Sequence, residues 1–90
     1  MNANIRVYYE KPKGEAANEK RYAAEMGGGN GEFPKGKIFA EGILKLARVA
    51  ALNIRARAPG MKADQIEFRN EIDQKEFDNF KDLLGHELKG

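Results

Sequence analysis

Cysteine, tryptophan, serine and threonine are all missing from this chain of 90 residues. Without cysteine there is no disulfide staple and no thiolate metal site, and the redox compartment stays undetermined. Without hydroxyl and thiol side chains of these kinds the commonest nucleophiles are excluded, and His86 is left as the only imidazole. One imidazole with no second His or Cys does not make a zinc site. His86, next to Glu87 near the end of the chain, reads as a solvated group whose positive form suits a helix C-terminus. Long hydrophobic runs are also missing. The longest, Val49 to Leu52, is far short of the ~20 residues that span a bilayer. The opening Met1-Asn2-Ala3-Asn4-Ile5-Arg6 lacks the apolar core of a signal peptide. These absences lead to the expectation of a cytoplasmic protein with no membrane partner, no cofactor and no resident metal.

What is present suits a folded domain. Charged residues make up 33% and hydrophobic residues 41%, with five Phe and three Tyr, a balance unlike that of a disordered chain. A chain this short accommodates one domain, residues 1–90, and buries only about 60–65% of its unfolded surface, so modest stability is expected. The net charge of +2 conceals an asymmetry. Residues 1–34 carry five basic and five acidic groups, residues 35–62 seven basic against one acidic, and residues 63–90 four basic against eight acidic, giving 0, +6 and −4. Such a division either marks an anionic partner or is cancelled inside the fold, with a basic helix beside an acidic one.

Alternation of Ile5, Val7 and Tyr9 with Arg6, Tyr8 and Glu10 predicts a half-buried strand, ended by Lys11-Pro12-Lys13-Gly14. Residues 15–26 combine helix formers with an alternation of Tyr22, Ala24 and Met26. The strand reading is preferred near 20–26, as a hairpin partner of the first strand, because an isolated pair of strands is marginal in water and a third strand helps the fold. Gly27 to Glu32 reads as a flexible loop, with Phe33 as its anchor. From Lys37 to about Arg55, Phe39, Ile43, Leu46, Ala47, Ala50 and Ile54 recur every three or four residues, which predicts a long helix with Gly36 at its start. Leu44, Val49 and Leu52 widen its apolar surface. Ala56-Arg57-Ala58-Pro59-Gly60 stops it. Ile66 and Phe68 predict a strand over 64–70. Asp73, three residues before Glu76, resembles a capping box ahead of a closing helix with Phe77, Phe80, Leu84 and Leu88 inward. Gly85 weakens that helix and favours an early end. The expected fold is a small α+β domain, approximately β-β-α-β-α, with two helices on one face of a short sheet.

Motifs with chemistry are few. Gly31 to Ile38 fits most of the phosphate-loop pattern G-x-x-x-x-G-K-[ST], but Ile38 stands where the magnesium-binding hydroxyl belongs and Pro34 removes a backbone donor. A weaker form survives, in which Lys35 and Lys37 beside a helix start bind one anion. Asp73, Glu76, Asp78 and Asp82 lack the spacing of a calcium loop and read as a solvated helix face. Most aromatics read as core; Tyr8, on the strand face opposite Ile5 and Val7, reads as an interface anchor. The function expected is that of a small non-catalytic binding or regulatory module, inhibitor- or adaptor-like, that docks on a protein or nucleoprotein partner. Its candidate contact residues are Lys37, Lys45, Arg48, Arg55, Arg57, Lys62 and Tyr8. Small regulators of phages and mobile elements fit that description as a class. The alternative is direct nucleic-acid binding through the basic segment 35–62, and a homodimer is left open.

Overall fold

The period-two pattern at the start of the chain becomes a strand in the computed structural model, which describes residues 3–10, 21–28 and 35–89. In β1 (Ala3–Glu10) the side chains of Ala3, Ile5 and Val7 are buried, whereas Asn4 is exposed and Arg6 and Tyr8 are half-buried. β2 (Arg21–Gly28) runs antiparallel to it, with Val7 opposite Ala24 and Ile5 opposite Met26. The hairpin partner expected near 20–26 is therefore present, and Gly27 and Gly28 belong to the strand rather than to a loop. The turn at 11–14, the helix-forming stretch at 15–17, and the segment 29–34 with Phe33 lie outside the described residues.

The largest correction concerns residues 36–42. Gly36–Ala40 form a third strand, β3, antiparallel to β2, and the helix α1 begins only at Ile43 and runs to Arg57. Lys37 and Phe39 are thus on a strand, with Ile38 and Ala40 turned toward the core side. Phe39, expected inside, is 42% exposed. Gly42, not Gly36, is the residue before the helix; its carbonyl accepts the Leu46 N–H at 3.0 Å, and no side chain caps it. The physical reason is a coincidence of spacing. Phe39, Ile43 and Leu46 keep a helical interval across two elements, so the period continues where the backbone does not. From Leu46 onward the expected face holds: Leu46, Ala47, Ala50 and Ile54 are fully buried. Pro59 disfavours helix just before it, and Gly60 takes the left-handed φ of 86° as the chain leaves α1.

A short 3-10 turn (Ala63–Gln65) leads into β4 (Ile66–Asn70), and α2 (Gln74–Lys89) closes the fold. Asp73 caps α2, its Oδ1 accepting the N–H groups of Lys75 at 3.0 Å and Glu76 at 3.3 Å. Gly85 does not end the helix, which continues to Lys89. The sheet order is β3-β2-β1-β4, with β4 parallel to β1. β3 and β4 occupy opposite edges, so α1 connects one edge to the other. Its 15 residues extend ~22 Å, enough to cross four strands spaced about 4.8 Å apart.

Both helices lie on the same sheet face. Ile5, Val7 and Met26 from the sheet, Leu46 and Ile54 from α1, and Phe80 and Leu84 from α2 share one core. Phe68 of β4 meets Phe77 and Phe80 edge-on, with ring centroids 6.0 and 6.3 Å apart. The protein is a small α+β domain with the element order β-β-β-α-β-α, one strand more than the sequence pattern suggested.

Candidate docking surface

With both helices on one side, the other face of the sheet is left without a covering layer among the described residues. Strand pairing fixes what stands there. Tyr8, Ala23 and Phe39 lie in register across β1, β2 and β3, and the next row places Arg69, Arg6, Glu25 and Lys37 across all four strands. Ala23 is fully buried although it points to this face: it is the small residue in the aromatic row, between Tyr8 and Phe39. Glu71 follows β4 and joins the sheet through its N–H, which donates to the Val7 carbonyl at 2.9 Å.

The charged row is internally paired. Arg6 forks onto Glu71, with Nη2 at 3.0 Å from Oε1, and also reaches Glu25 at 3.3 Å. Lys37 Nζ stands 3.4 Å from Glu25, and Arg69 Nε stands 3.4 Å from Glu71. The Tyr8 hydroxyl donates to Glu25 at 3.3 Å. The Arg6 guanidinium lies 4.3 Å from the Tyr8 ring centre, and the Lys37 ammonium lies 5.9 Å from the rings of both Tyr8 and Phe39, within cation–π range. These contacts move the titrations. Arg6 holds the Glu71 carboxyl below its ordinary range, chiefly through their hydrogen bond. Partial burial pushes Glu25 upward, but its bonds from Arg6, Lys37 and Tyr8 outweigh that and leave it lowered. The Tyr8 hydroxyl first, and Glu25 second, raise Lys37. At the end of this face near Gly27 and Gly36, a groove of about 710 Å³ is lined by Asn4, Arg6, Glu25, Lys35, Lys37 and Arg69, among others.

The candidate residues read from the sequence do not form one patch. Tyr8 and Lys37 meet on the open sheet face. Lys45 and Arg48 are exposed on the outer side of α1, and Arg48 Nε is 3.6 Å from Glu87 of α2. Arg55 is half-buried at the seam between the helices, where Nη1 donates to the Glu87 carbonyl at 3.0 Å. Arg57 ends α1 with its guanidinium over Gly36; Nη1 is 3.1 Å from where a β-carbon on that glycine would stand. Lys62 is exposed ahead of the 3-10 turn, and its N–H donates to Gln65 Oε1 at 2.9 Å. The basic helix does lie beside the acidic one, and part of its charge is met there.

Placing Lys37 on β3 also removes the arrangement required for anion binding at the start of a helix, because α1 starts six residues later at Ile43. Among the described residues no group of three or more His, Asp or Glu side chains is arranged to hold a metal ion. His86 is exposed in the last turn of α2. Sequence reasoning missed Arg6, Glu25, Phe39 and Arg69 as neighbours of Tyr8. The alternation in β1 that singled out Tyr8 already put Arg6 on the same face, but the cross-strand partners needed the register. No helix of the described residues is long and apolar enough to cross a membrane. No family model, curated protein or solved structure matches the chain, so geometry alone carries the functional reading.

Proposed function

We propose that the protein is a non-catalytic docking module that binds a partner protein through the open face of its sheet. The observation that carries this reading is the pair of aligned rows, Tyr8–Ala23–Phe39 and Arg69–Arg6–Glu25–Lys37, on a sheet face that neither helix covers. Tyr, Phe and Arg are the side chains that protein interfaces enrich and that most often anchor them. Ion pairs along the charged row hold the long side chains in place before contact, which lowers the entropy lost on association.

The same pairing favours protein over nucleic acid as the partner. Nucleic-acid affinity comes largely from unneutralised Lys and Arg releasing counterions from phosphates. Here Glu25 and Glu71 already occupy Arg6, Lys37 and Arg69. A second reading rests on Tyr8 and Phe39, which flank Lys37 and could stack bases of a single strand.

One comparison tests both readings. Wild-type protein and a Tyr8→Ala/Phe39→Ala double variant are immobilised and exposed to a host extract, and the captured proteins are identified by mass spectrometry. The expected result is a protein held by the wild type and reduced at least about tenfold with the variant. Identical captured sets would refute the sheet face as the docking surface. Salt-sensitive binding of a bare single-stranded oligonucleotide, lost in the same variant, would replace the protein reading with the nucleic-acid one.

A further inference from the structure

A second exposed surface differs from the sheet face in charge and in shape. Leu44 is 46% and Leu52 59% exposed on α1, and Arg48 lies midway between them at four-residue intervals. The three form a line along the helix ~12 Å long. Beside it stands Lys45, exposed and making no ion pair among the described residues. No acidic residue occurs anywhere in Ile43–Arg57, which carries Lys45, Arg48, Arg55 and Arg57. Glu87, 3.6 Å from Arg48, is the carboxylate that α2 brings to this side, and the Arg48 side chain stays 62% exposed despite it. Covering Leu44 and Leu52 with a partner's apolar side chains would remove their exposed surface from water.

We infer that the outer face of α1 binds an amphipathic helical segment of a partner protein, one whose apolar stripe is bordered by Asp and Glu. The line Leu44–Arg48–Leu52 presents two apolar contacts separated by two helical turns, the interval at which a second helix places its own apolar residues. Lys45 and Arg48 then meet the acidic border, and the same two cations repel a segment bordered by Lys or Arg.

Charge argues against a second copy as occupant. Antiparallel pairing of two α1 helices would bring Arg48 against Arg48 and leave Lys45 without a counter-charge. Pairing with the outward side of α2 would supply Asp78 and Asp82, but Asn79 and His86 give the leucines nothing apolar to meet. An anionic membrane is also a poor fit, because two leucines do not make the continuous apolar face with which interfacial helices enter a bilayer.

The test uses a capped peptide helix of Leu, Glu and Ala with leucine at every fourth position, titrated into the full chain and followed by backbone amide shifts. Saturable binding in the micromolar range is expected, with the shifts centred on 44–52. Leu44→Gln/Leu52→Gln and Lys45→Glu/Arg48→Glu should each weaken it at least about tenfold while leaving amide shifts in the sheet unchanged; both pairs are exposed, so folding is retained. The Tyr8→Ala/Phe39→Ala protein should bind the peptide as the wild type does, which separates failure here from failure of the sheet-face reading. No saturation, shifts centred on the sheet, equal binding of a Leu/Lys/Ala peptide, or unchanged affinity in both double variants would overturn the inference. So would tighter binding to phosphatidylserine-containing vesicles, or self-association abolished by Leu44→Gln/Leu52→Gln.

Discussion

Glu76 accepts hydrogen bonds from two phenols at once, Tyr9 at 2.8 Å and Tyr22, and the Tyr9 oxygen in turn accepts the Asp73 N–H at 3.2 Å. The two rings are 5.5 Å apart. This cluster ties the first turn of α2 to the end of the β1–β2 hairpin. The hydrogen bond to Glu76, followed by desolvation, pushes the Tyr22 phenol from 10.0 up to about 12. A folded-state value above the unfolded one means that the native protein keeps its proton longer. The contribution to stability is therefore complete below pH 10 and is lost as pH rises toward 12. Following phenolate absorbance against pH should show a late step that disappears in Tyr22→Phe; a curve unchanged by that substitution would contradict the arrangement. At this scale Asp73 was legible as a cap from its place before an amphipathic run. The role of Glu76 was not, because its partners lie 54 and 67 residues away.

Elements repeat the lesson with α1. Its buried and exposed leucines make opposite predictions for the same substitution on the same helix. Leu46 is fully buried and Leu52 is 59% exposed. Leu46→Ala should therefore destabilise by about 2–5 kcal/mol, as should Phe77→Ala in α2. Leu52→Ala should stay within about 0.5 kcal/mol. For a domain of this size each kcal/mol moves the midpoint by roughly 4–8 °C, so thermal unfolding of the three variants separates them. Equal midpoints for Leu46→Ala and Leu52→Ala would contradict the helix face described here. β1, β4 and α2 were legible because each carries its own period between clear punctuation. β3 was not. Five residues, with Ile38 inward and Phe39 outward, give too short an alternation to compete with the helical spacing that Phe39 shares with Ile43 and Leu46. Gly36, the first residue of the strand, and Gly42, just before the helix, are its local signals.

Across the whole molecule, the charges of the open face join all four strands and Glu71, which follows β4, into one network centred on Arg6. Glu71 and Glu25 both titrate below their ordinary 4.5 in the folded state. The unfolded chain takes up those protons first as pH falls, so the network stabilises above pH 4.5 and its contribution is lost below it. Urea unfolding at neutral and acidic pH should show a larger loss of stability on acidification for the wild type than for Arg6→Gln. Equal losses would mean that the network is not coupled to folding. Because all of its members are partly exposed, raising the salt should shrink the difference.

The sequence by itself determined the α+β class, the inward faces of β1, α2 and most of α1, and the absence of serine, threonine and cysteine nucleophiles, since local period and composition need no partner to be read. Only the tertiary structure decided where the basic segment goes. Its cations are divided between the open sheet face, the outer side of α1 and the seam with α2, because strand register and helix packing are set by burial across the whole chain. Neighbours in sequence such as Lys37 and Lys45 thus come to stand on different surfaces, while Arg6, Glu25 and Glu71 come together from far apart.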